Sequence, residues 1–313
     1  MLTRRQIRVK VMQSVYAFIQ SENTDMEKEE KFLKVSMDSM YHLYLYLLGL
    51  IVEIQKLAEE QMTLSSKKYL ATREEKNPNT KFINNSVIKK LVEDGDLREK
   101  LSNYRLSWEL DDEYVKILWN EIRESDVYKV YLENKEESFE EDRDLVISIY
   151  QDIIAPNDKL YEFLEDKRLT WIDDLPLVNT MILKLLRKVK PKSGDDYFHP
   201  SLFKDEDDKL FAMDLFRKTI LNDEKIMMEI EGKTPNWDTE RIAEIDSILL
   251  KLAICEFLKF PSIPVKVTIN EYLEIAKEYS TPKSSIFING ILDKLVKEYQ
   301  SNNSLNKSGR GLL

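Results

Sequence analysis

The sequence predicts an all-α protein. Glycine and proline, the two residues that disfavour helices most, are scarce, with 7 and 9 copies in 313 residues. Apolar residues recur three and four positions apart in long stretches, a spacing that puts them on one face of a helix. A chain of this length can bury the core of one large domain or of two small ones. We therefore expect two helical bundles with a helical insertion.

The cysteine content and the charge limit the classes of protein to be considered. Cys255 is the single cysteine, so we expect neither a disulfide framework nor a thiol cluster for zinc, and a cytoplasmic location fits. The most apolar run, residues 43–52, is too short and too rich in tyrosine to span a membrane, and no signal sequence is expected at the start. A net charge of −10 argues against a protein that coats nucleic acid generally, but it leaves room for a local site.

The first helix is expected over residues 3–22, with Thr3 as its cap. Its inward-facing residues are predicted to be Ile7, Val11, Val15, Phe18 and Ile19. The basic residues at its start are Arg4, Arg5, Arg8 and Lys10. The arginine spacing puts at least two guanidinium groups on one side of the helix, where they can bind phosphate through paired hydrogen bonds.

The second helix is expected from residue 25 to about residue 61. Its buried stripe is predicted to consist of Phe32, Val35, Met40, Leu43, Leu47, Leu50, Ile54 and Leu57. Gly49 lies inside this helix and costs about 1 kcal/mol relative to alanine.

The middle region alternates between loops and helices. Residues 63–85 are polar and are expected to form a loop or linker, and helices follow over 86–104 and 111–132. Asp111 or Asp112 caps the second of these. Residues 189–207, rich in proline, lysine and aspartate, are predicted to form a mobile loop.

Two segments of the chain can be aligned with one another. Residues 141–185 and 205–252 each contain a helix, an Asn-Asp turn, a short helix, a tryptophan and a further helix, with Trp171 opposite Trp237. A partial duplication and a chance alignment of two similar helical hairpins both account for this pattern.

The last strongly patterned stretch predicts three helices. The first follows Trp237 and ends near Pro261, because proline lacks the amide donor. The second begins at about Thr268, which can cap it, and the third begins near Ser284. The third helix is expected to bury Ile286, Phe287, Ile288, Ile291, Leu292, Leu295 and Val296, with Gly290 allowing a neighbour to approach. The tail after residue 300 is expected to be disordered.

The literal order of residues in this stretch resembles a known family. The segments "IPVKVTINEYLEIAKEY" and "SIFINGILDKLV" are similar to the C-terminal half of the NusB family of transcription antitermination factors. A second, shorter similarity lies at the other end of the chain, in Arg4, Arg5, Arg8, Gln13 and Tyr16. Departures from the family pattern occur at Lys251, Tyr272 and Ser280.

The resemblance suggests an organisation of the chain into segments. Residues 1–62 would supply N-terminal NusB-like helices, and residues 208–300 the C-terminal bundle. Between them, residues 63–207 would form a helical insertion, with the possible partial duplication at 141–185, and residues 301–313 would form the tail.

The resemblance also implies a function without covalent chemistry. It implies binding of single-stranded boxA-type RNA in nascent ribosomal transcripts, together with the small-subunit ribosomal protein that acts as NusE, on the transcription elongation complex. The RNA-binding residues expected are Arg4, Arg5, Arg8, Lys10, Tyr16, Lys283, Ser284 and Ser285. Glu256 is implied as a contact to the protein partner. Tyr16 could instead pack in the core, and Lys283 could be a solvated loop lysine.

Signatures of an enzyme are missing from the sequence. His42 and His199 are the two histidines, and neither has a second metal ligand at helical spacing. No glycine-rich loop of the phosphate-binding kind occurs, so no cofactor is expected. The alternative to an antitermination factor is a helical scaffold or ribosome-assembly module that binds the protein partner without RNA.

Overall fold

The computed structural model describes residues 2–21, 25–70, 72–135, 137–194, 196–231 and 243–309. Within these ranges every regular element is helical, which confirms the predicted fold class. The chain divides into two compact units, one formed by Met1–Met37 with Ser201–Leu313 and the other by Asp38–Pro200. We call them the discontinuous unit and the central unit. Residues 38–62, expected with the N-terminal helices, belong to the central unit, while the predicted segment boundaries and the duplication remain predictions.

The discontinuous unit contains the first helix, the start of the second, and the C-terminal helices. Its helices are α1 (Arg4–Gln20), the beginning of α2 (Met26–Ser66), α11 (Glu206–Leu221), α12 (Asp223–Glu231), α13 (Glu244–Lys259), α14 (Val265–Tyr279) and α15 (Ser284–Ser301). Helix α1 packs against α11, α13 and α14. Because α11 and α13 also pack against each other, the N-terminal helix is an integral part of the C-terminal bundle.

Local sequence explains the start of α1. The Thr3 side chain accepts a hydrogen bond from the Gln6 amide, and the Gln6 side chain accepts one from the Thr3 amide. This reciprocal pair satisfies two amides that a helix start leaves without partners. The predicted cap and the inward positions Ile7, Val11 and Val15 are confirmed by the structure.

The buried face of α2 begins one position away from the predicted stripe. Phe32 and Val35 are 44% and 60% exposed, whereas Leu33 and Met37 are buried, so the prediction was wrong in this part of the helix. The reason is an ion pair in which Arg217 of α11 holds the buried carboxylate of Glu30. Glu30, Leu33 and Met37 are spaced by three and four residues and therefore share one face.

In the part of the chain that the structure describes, one helix, α2, has the length and the apolar composition needed to cross a membrane. Of its most apolar stretch, 83% is buried inside the protein. The apolar stretch of α2 is therefore explained by its place in the protein core.

The central unit contains the rest of α2 and the helices of the middle region. These are α3 (Arg73–Lys76), α4 (Ser86–Glu93), α5 (Gly95–Asn103), α6 (Asp112–Glu124), α7 (Asp126–Glu133), α8 (Phe139–Ile149), a π turn (Tyr150–Ile154), α9 (Asp158–Lys167), a 3-10 turn (Leu169–Trp171) and α10 (Leu175–Lys188). The core of this unit includes Tyr46 stacked on Trp108, with ring centres 4.0 Å apart, and Trp171, whose indole donates to the Ser39 carbonyl. Stacked aromatic rings of this kind stabilise a core by more than the burial of their surface area alone.

Each helix predicted over 86–104 and 111–132 is in fact two helices. Asp94 ends α4 and caps α5 by accepting from the Leu97 amide, and Ser125 ends α6 and caps α7 by accepting from the Tyr128 amide. A side-chain acceptor at these positions satisfies the amides of a new helix start. Asp111 makes no cap hydrogen bond; its carboxylate accepts from the Tyr46 hydroxyl instead.

The segment 189–200 was predicted to be part of a mobile loop, but its described residues pack closely. Phe198 is buried, and the hydroxyl of Tyr44 donates to its carbonyl at 2.7 Å. The tail also makes contacts, because Lys307 donates to the carbonyls of Glu256 and Phe260 at 3.2 and 3.0 Å. Backbone carbonyls at the end of α13 thus hold a segment whose composition suggested disorder.

The three C-terminal helices are present, with two corrections to their details. Helix α14 begins at Val265, so Thr268 lies inside it and its hydroxyl bonds to Glu256 rather than capping the helix. In α15, Ile286 is 76% exposed, and a Cβ added at Gly290 would meet no atom within 4 Å. The predicted close approach at Gly290 is therefore wrong. Trp237, on which the proposed repeat depends, lies outside the described residues.

Two glycines inside helices, Gly49 and Gly290, lead to opposite predictions. Gly290→Ala should raise the free energy of unfolding by about 0.5–1 kcal/mol, because alanine favours the helix and the site is open. Gly49→Val should lower it by about 1–3 kcal/mol, because a Cβ there would already lie 3.3 Å from Leu101 and the added methyl groups would crowd it further. Urea denaturation followed by circular dichroism measures both changes. Equal effects of the two substitutions would contradict this account.

Candidate functional site

Arg8 and Glu256 form a buried ion pair between α1 and α13. The guanidinium donates to both carboxylate oxygens at 2.9 and 2.8 Å, and the two side chains are only 2% and 0% exposed. The hydroxyl groups of Thr268 and Tyr272, both on α14, donate to the same carboxylate at 2.5 and 3.3 Å. Four hydrogen bonds therefore converge on Glu256 and join three helices.

The surroundings of this pair favour the charged form of the arginine. Burial lowers the pKa of Arg8, but the charge and hydrogen bonds of Glu256 outweigh it and raise that pKa above its usual value. Burial, with the nearby Glu256 carboxylate, raises the pKa of Tyr272 well above its usual value, so Tyr272 remains a neutral donor. The ring of Phe211 lies 5.1 Å from the Arg8 guanidinium carbon and completes an aromatic wall.

Arg4 and Arg5 lie at the edge of this cluster and are accessible to solvent. Arg4 donates to Asp208 of α11 at 2.8 Å, and Arg5 donates to both oxygens of Glu271 at 2.9 Å. Their side chains are about 40% exposed. The hydrogen bond with Glu271 is the main cause that raises the pKa of Arg5. Each arginine therefore already has an acidic partner that a phosphate would have to displace or share.

The accessible side of α1 forms a stripe along the helix. It consists of residues that are exposed or half-buried at spacings of three and four, namely Arg5, Val9, Gln13, Tyr16 and Gln20. Arg5 and Tyr16 are eleven residues apart, which puts them about 16 Å apart along the helix and nearly on the same side. Tyr16 is 41% exposed, so of the two readings of this tyrosine the core position does not fit.

Four residues expected at an RNA or partner surface are buried instead. The direct contacts expected of Arg8 and Glu256 do not fit their burial, since each is the other's partner. Lys10 is buried, and its ammonium donates to the Ser36 hydroxyl at 3.1 Å. Ser284 is buried as well. The side chains of these four residues therefore lie beneath the accessible surface.

Ser284 has a structural role at the turn before α15. Its hydroxyl accepts from the Thr281 amide at 3.2 Å and lies 3.0 Å from the hydroxyl of Ser280, which donates to Asp246 of α13. Lys283 is exposed and Ser285 is half-buried, so both remain available to a ligand.

Sequence reasoning found the arginines but did not find what they contact. The pairing of Arg8 with Glu256 spans 248 positions in the chain, so no local spacing could reveal it. Glu271 accepts two hydrogen bonds from Arg5 and so joins α14 to α1. Nothing in the sequence marked Asp208 as the partner of Arg4, beyond its position at the start of α11. Among the described residues, no cluster of three or more histidine, cysteine, aspartate or glutamate side chains could hold a metal ion.

Comparisons with known proteins agree on the C-terminal part of the chain. Residues 180–297 match the model of the NusB family. Three similar proteins are each named "Transcription antitermination protein NusB". The one from Salinibacter ruber is 46% identical over 103 residues, 33% of this chain and 64% of that protein. The one from Chloroherpeton thalassium is 46% identical over 105 residues, 34% of this chain and 50% of that protein.

The third of these relatives, from Koribacter versatilis, is 43% identical over 94 residues, 30% of this chain and 64% of that protein. The chain thus spans between 50% and 64% of the length of these relatives. No solved structure matches the chain.

Removing one member of the buried pair should destabilise the discontinuous unit strongly. Glu256→Ala leaves the Arg8 charge buried without its partner, and we expect a loss of about 3–5 kcal/mol. Cys255 reports on this unit: burial raises the pKa of its thiol to about 11, so it should react with iodoacetamide only when the unit opens. The measurement is the rate of Cys255 labelling as a function of urea.

The control and a double substitution make this test specific. Lys277→Ala removes an exposed lysine paired with Glu274 and should change stability by less than about 1 kcal/mol. Arg8→Met combined with Glu256→Leu removes both charges and should cost less than the sum of the two single changes. Additive losses would show that the two side chains do not act as a pair.

Proposed function

We propose that the chain acts as a transcription antitermination factor, because residues 180–297 match the model of the NusB family. In this role it would bind single-stranded boxA-type RNA in nascent ribosomal transcripts, together with the small-subunit ribosomal protein that acts as NusE. The complex would attach to the transcription elongation complex in the cytoplasm. The protein's contribution is binding and assembly, without covalent chemistry.

The observation that carries the proposal is the accessible stripe of α1 on a NusB-like bundle. At one end of the stripe Arg5, with Arg4 beside it, offers guanidinium groups to phosphate, and Tyr16 offers an aromatic face for a base further along. Single-stranded RNA is bound by this combination of positive charge and stacking. Lys283 and Ser285 extend the proposed RNA surface, and both are accessible.

Arg8 supports this surface from below. Its pair with Glu256 fixes α1 on α13, and thereby fixes the direction in which Arg4 and Arg5 leave the helix. Lys10 and Ser284 act in the same way on their own segments. Glu256 would affect a protein partner only through the position of these helices.

The acidic residues beside the arginines explain why the RNA complex would need a partner. Glu271 binds Arg5, and the negative charges of Glu274 and Glu278 on the same helix also raise the pKa of Arg5. The whole chain carries a net charge of −10. RNA would therefore bind weakly to this chain alone, and a basic partner protein would supply the missing attraction.

The same acidic residues favour the alternative function. If the carboxylates of Asp208 and Glu271 keep the arginines fully engaged, the chain is a scaffold that binds its protein partner without RNA. The two functions differ in one measurable property, which is salt-dependent affinity for RNA in the presence of the partner.

Removal of the two accessible arginines should weaken RNA binding. We expect Arg4→Ala with Arg5→Ala to lower the slope of log affinity against log salt by about 1.4, because each phosphate contact to a single strand contributes about 0.7. The measurement is fluorescence anisotropy of a boxA-type RNA, with and without the NusE protein, at several salt concentrations. Arg8 is left intact because its loss would disturb the fold.

A control variant with the same change in net charge shows whether the effect comes from lost phosphate contacts or from the net charge alone. Lys116→Ala with Lys129→Ala removes two exposed lysines of the central unit and should leave the salt slope unchanged. An unchanged slope in the arginine variant would rule out the proposed RNA surface. Binding of the partner without any binding of RNA would support the scaffold function.

A further inference from the structure

Basic residues are concentrated at the end of α10 and in the turn that follows it. Residues 184–192 include no acidic residue and five basic ones, namely Lys184, Arg187, Lys188, Lys190 and Lys192. All five are exposed, and we call them the basic patch. On a chain with a net charge of −10, such a concentration of positive charge creates a local field that attracts anions.

The turn that carries Lys190 and Lys192 has a defined conformation. The Lys190 amide donates to the Ser193 hydroxyl at 3.0 Å, and the Ser193 amide donates to the Lys190 carbonyl at 2.9 Å. The Tyr197 hydroxyl donates to the Leu185 carbonyl at 2.7 Å, which ties the chain after the turn back to α10. The two lysines are therefore presented by an ordered turn.

Helix α4 also holds this turn. The Lys90 ammonium donates to the Ser193 carbonyl at 3.3 Å, which adds a sixth cation beside the basic patch. Arg187 donates to the side-chain oxygen of Gln151 at 2.7 Å, which directs its guanidinium without neutralising it. Because these partners are neutral, the charges of Lys90 and Arg187 remain available to an anion.

The basic patch differs from the accessible arginines of α1 in its lack of acidic partners. Arg4 and Arg5 are paired with Asp208 and Glu271. Among the described residues, no carboxylate forms an ion pair with a member of the basic patch. A phosphate would therefore bind here without displacing a carboxylate.

Stabilisation of α10 explains only part of the basic patch. Cations in the last turn of a helix interact favourably with its dipole, and Arg187 and Lys188 occupy that turn. Lys184 lies one turn earlier, and Lys190 and Lys192 lie beyond the end of the helix, where this effect falls off. The dipole of α10 therefore does not account for these three lysines.

The surroundings of the basic patch indicate which kind of anion it fits. In segments 86–93 and 181–194, all of which the structure describes, no large apolar side chain is exposed. A protein partner or a membrane would bury apolar surface as well as charge. RNA carries its charges along a backbone and needs only cations to neutralise them.

We propose that the basic patch binds the phosphate backbone of single-stranded RNA without regard to its sequence. Lys184, Arg187 and Lys188 are three and four residues apart and share one face of α10. Lys190 and Lys192 continue the row of cations past the end of the helix. The site belongs to the central unit and goes beyond the proposed function, which concerns boxA-type RNA on α1.

Fluorescence anisotropy of a labelled oligouridine, which contains no boxA-type sequence, tests the proposal on the full chain at several salt concentrations. We expect binding that weakens as salt rises. Lys188→Gln with Lys190→Gln and Lys192→Gln should lower the slope of log affinity against log salt by about 2, because each phosphate contact to a single strand contributes about 0.7. Circular dichroism checks that the variant keeps its fold.

Two further variants serve as controls. Lys116→Gln with Lys129→Gln and Lys135→Gln removes three exposed lysines of the same unit and should leave the salt slope unchanged. In a chain that carries Arg4→Ala and Arg5→Ala, the three glutamine substitutions of the basic patch should still lower the slope by about 2. The result is therefore independent of whether α1 binds boxA-type RNA.

Three results would overturn the proposal. They are the absence of salt-dependent oligouridine binding by the unmodified chain, an unchanged slope in the basic-patch variant, and an equal fall of the slope in the lysine control. Cosedimentation with phosphatidylglycerol vesicles that depends on the basic patch, in a chain that binds no RNA, would identify a lipid surface instead.

Discussion

The buried ion pair between Arg8 and Glu256 is the constraint on which the discontinuous unit depends. A guanidinium and a carboxylate removed from water are stable together only when their hydrogen bonds are complete. Thr268 and Tyr272 complete them from α14. Helices α1, α13 and α14 therefore have one arrangement that leaves no charge unpaired. The beginning of the chain is tied in this way to residues near its end.

The same pair determines what the surface of α1 can offer to a ligand. With Arg8 turned inward, Arg4 and Arg5 lie at the edge of the cluster, and Tyr16 follows them on the accessible stripe. In the proposed function, their carboxylate partners would lower the attraction for RNA and make binding depend on a second, basic protein. A NusB-like role in antitermination is consistent with that dependence, because such a site responds to assembly more than to RNA alone.

A buried acidic residue has different hydrogen-bond partners in the two units. In the discontinuous unit, Glu256 receives a cation and two hydroxyl groups. In the central unit, Asp94 accepts from the Leu97 amide and lies 3.2 Å from Nε2 of His199, and its other oxygen has no hydrogen-bond partner among the described residues. Both oxygens of Glu256 therefore have hydrogen-bond partners, whereas only one oxygen of Asp94 has them.

The sequence by itself determined that the chain is helical and where some helices begin and end, because these features depend on neighbours within one turn. Thr3 and Gln6 begin α1, and Pro261 follows the end of α13. Only the tertiary structure decided that Leu33 faces inward where Phe32 was expected, and that Arg8 belongs to Glu256 rather than to a ligand. Such choices depend on contacts between segments far apart in the chain, and a local pattern carries no information about which buried charges will meet.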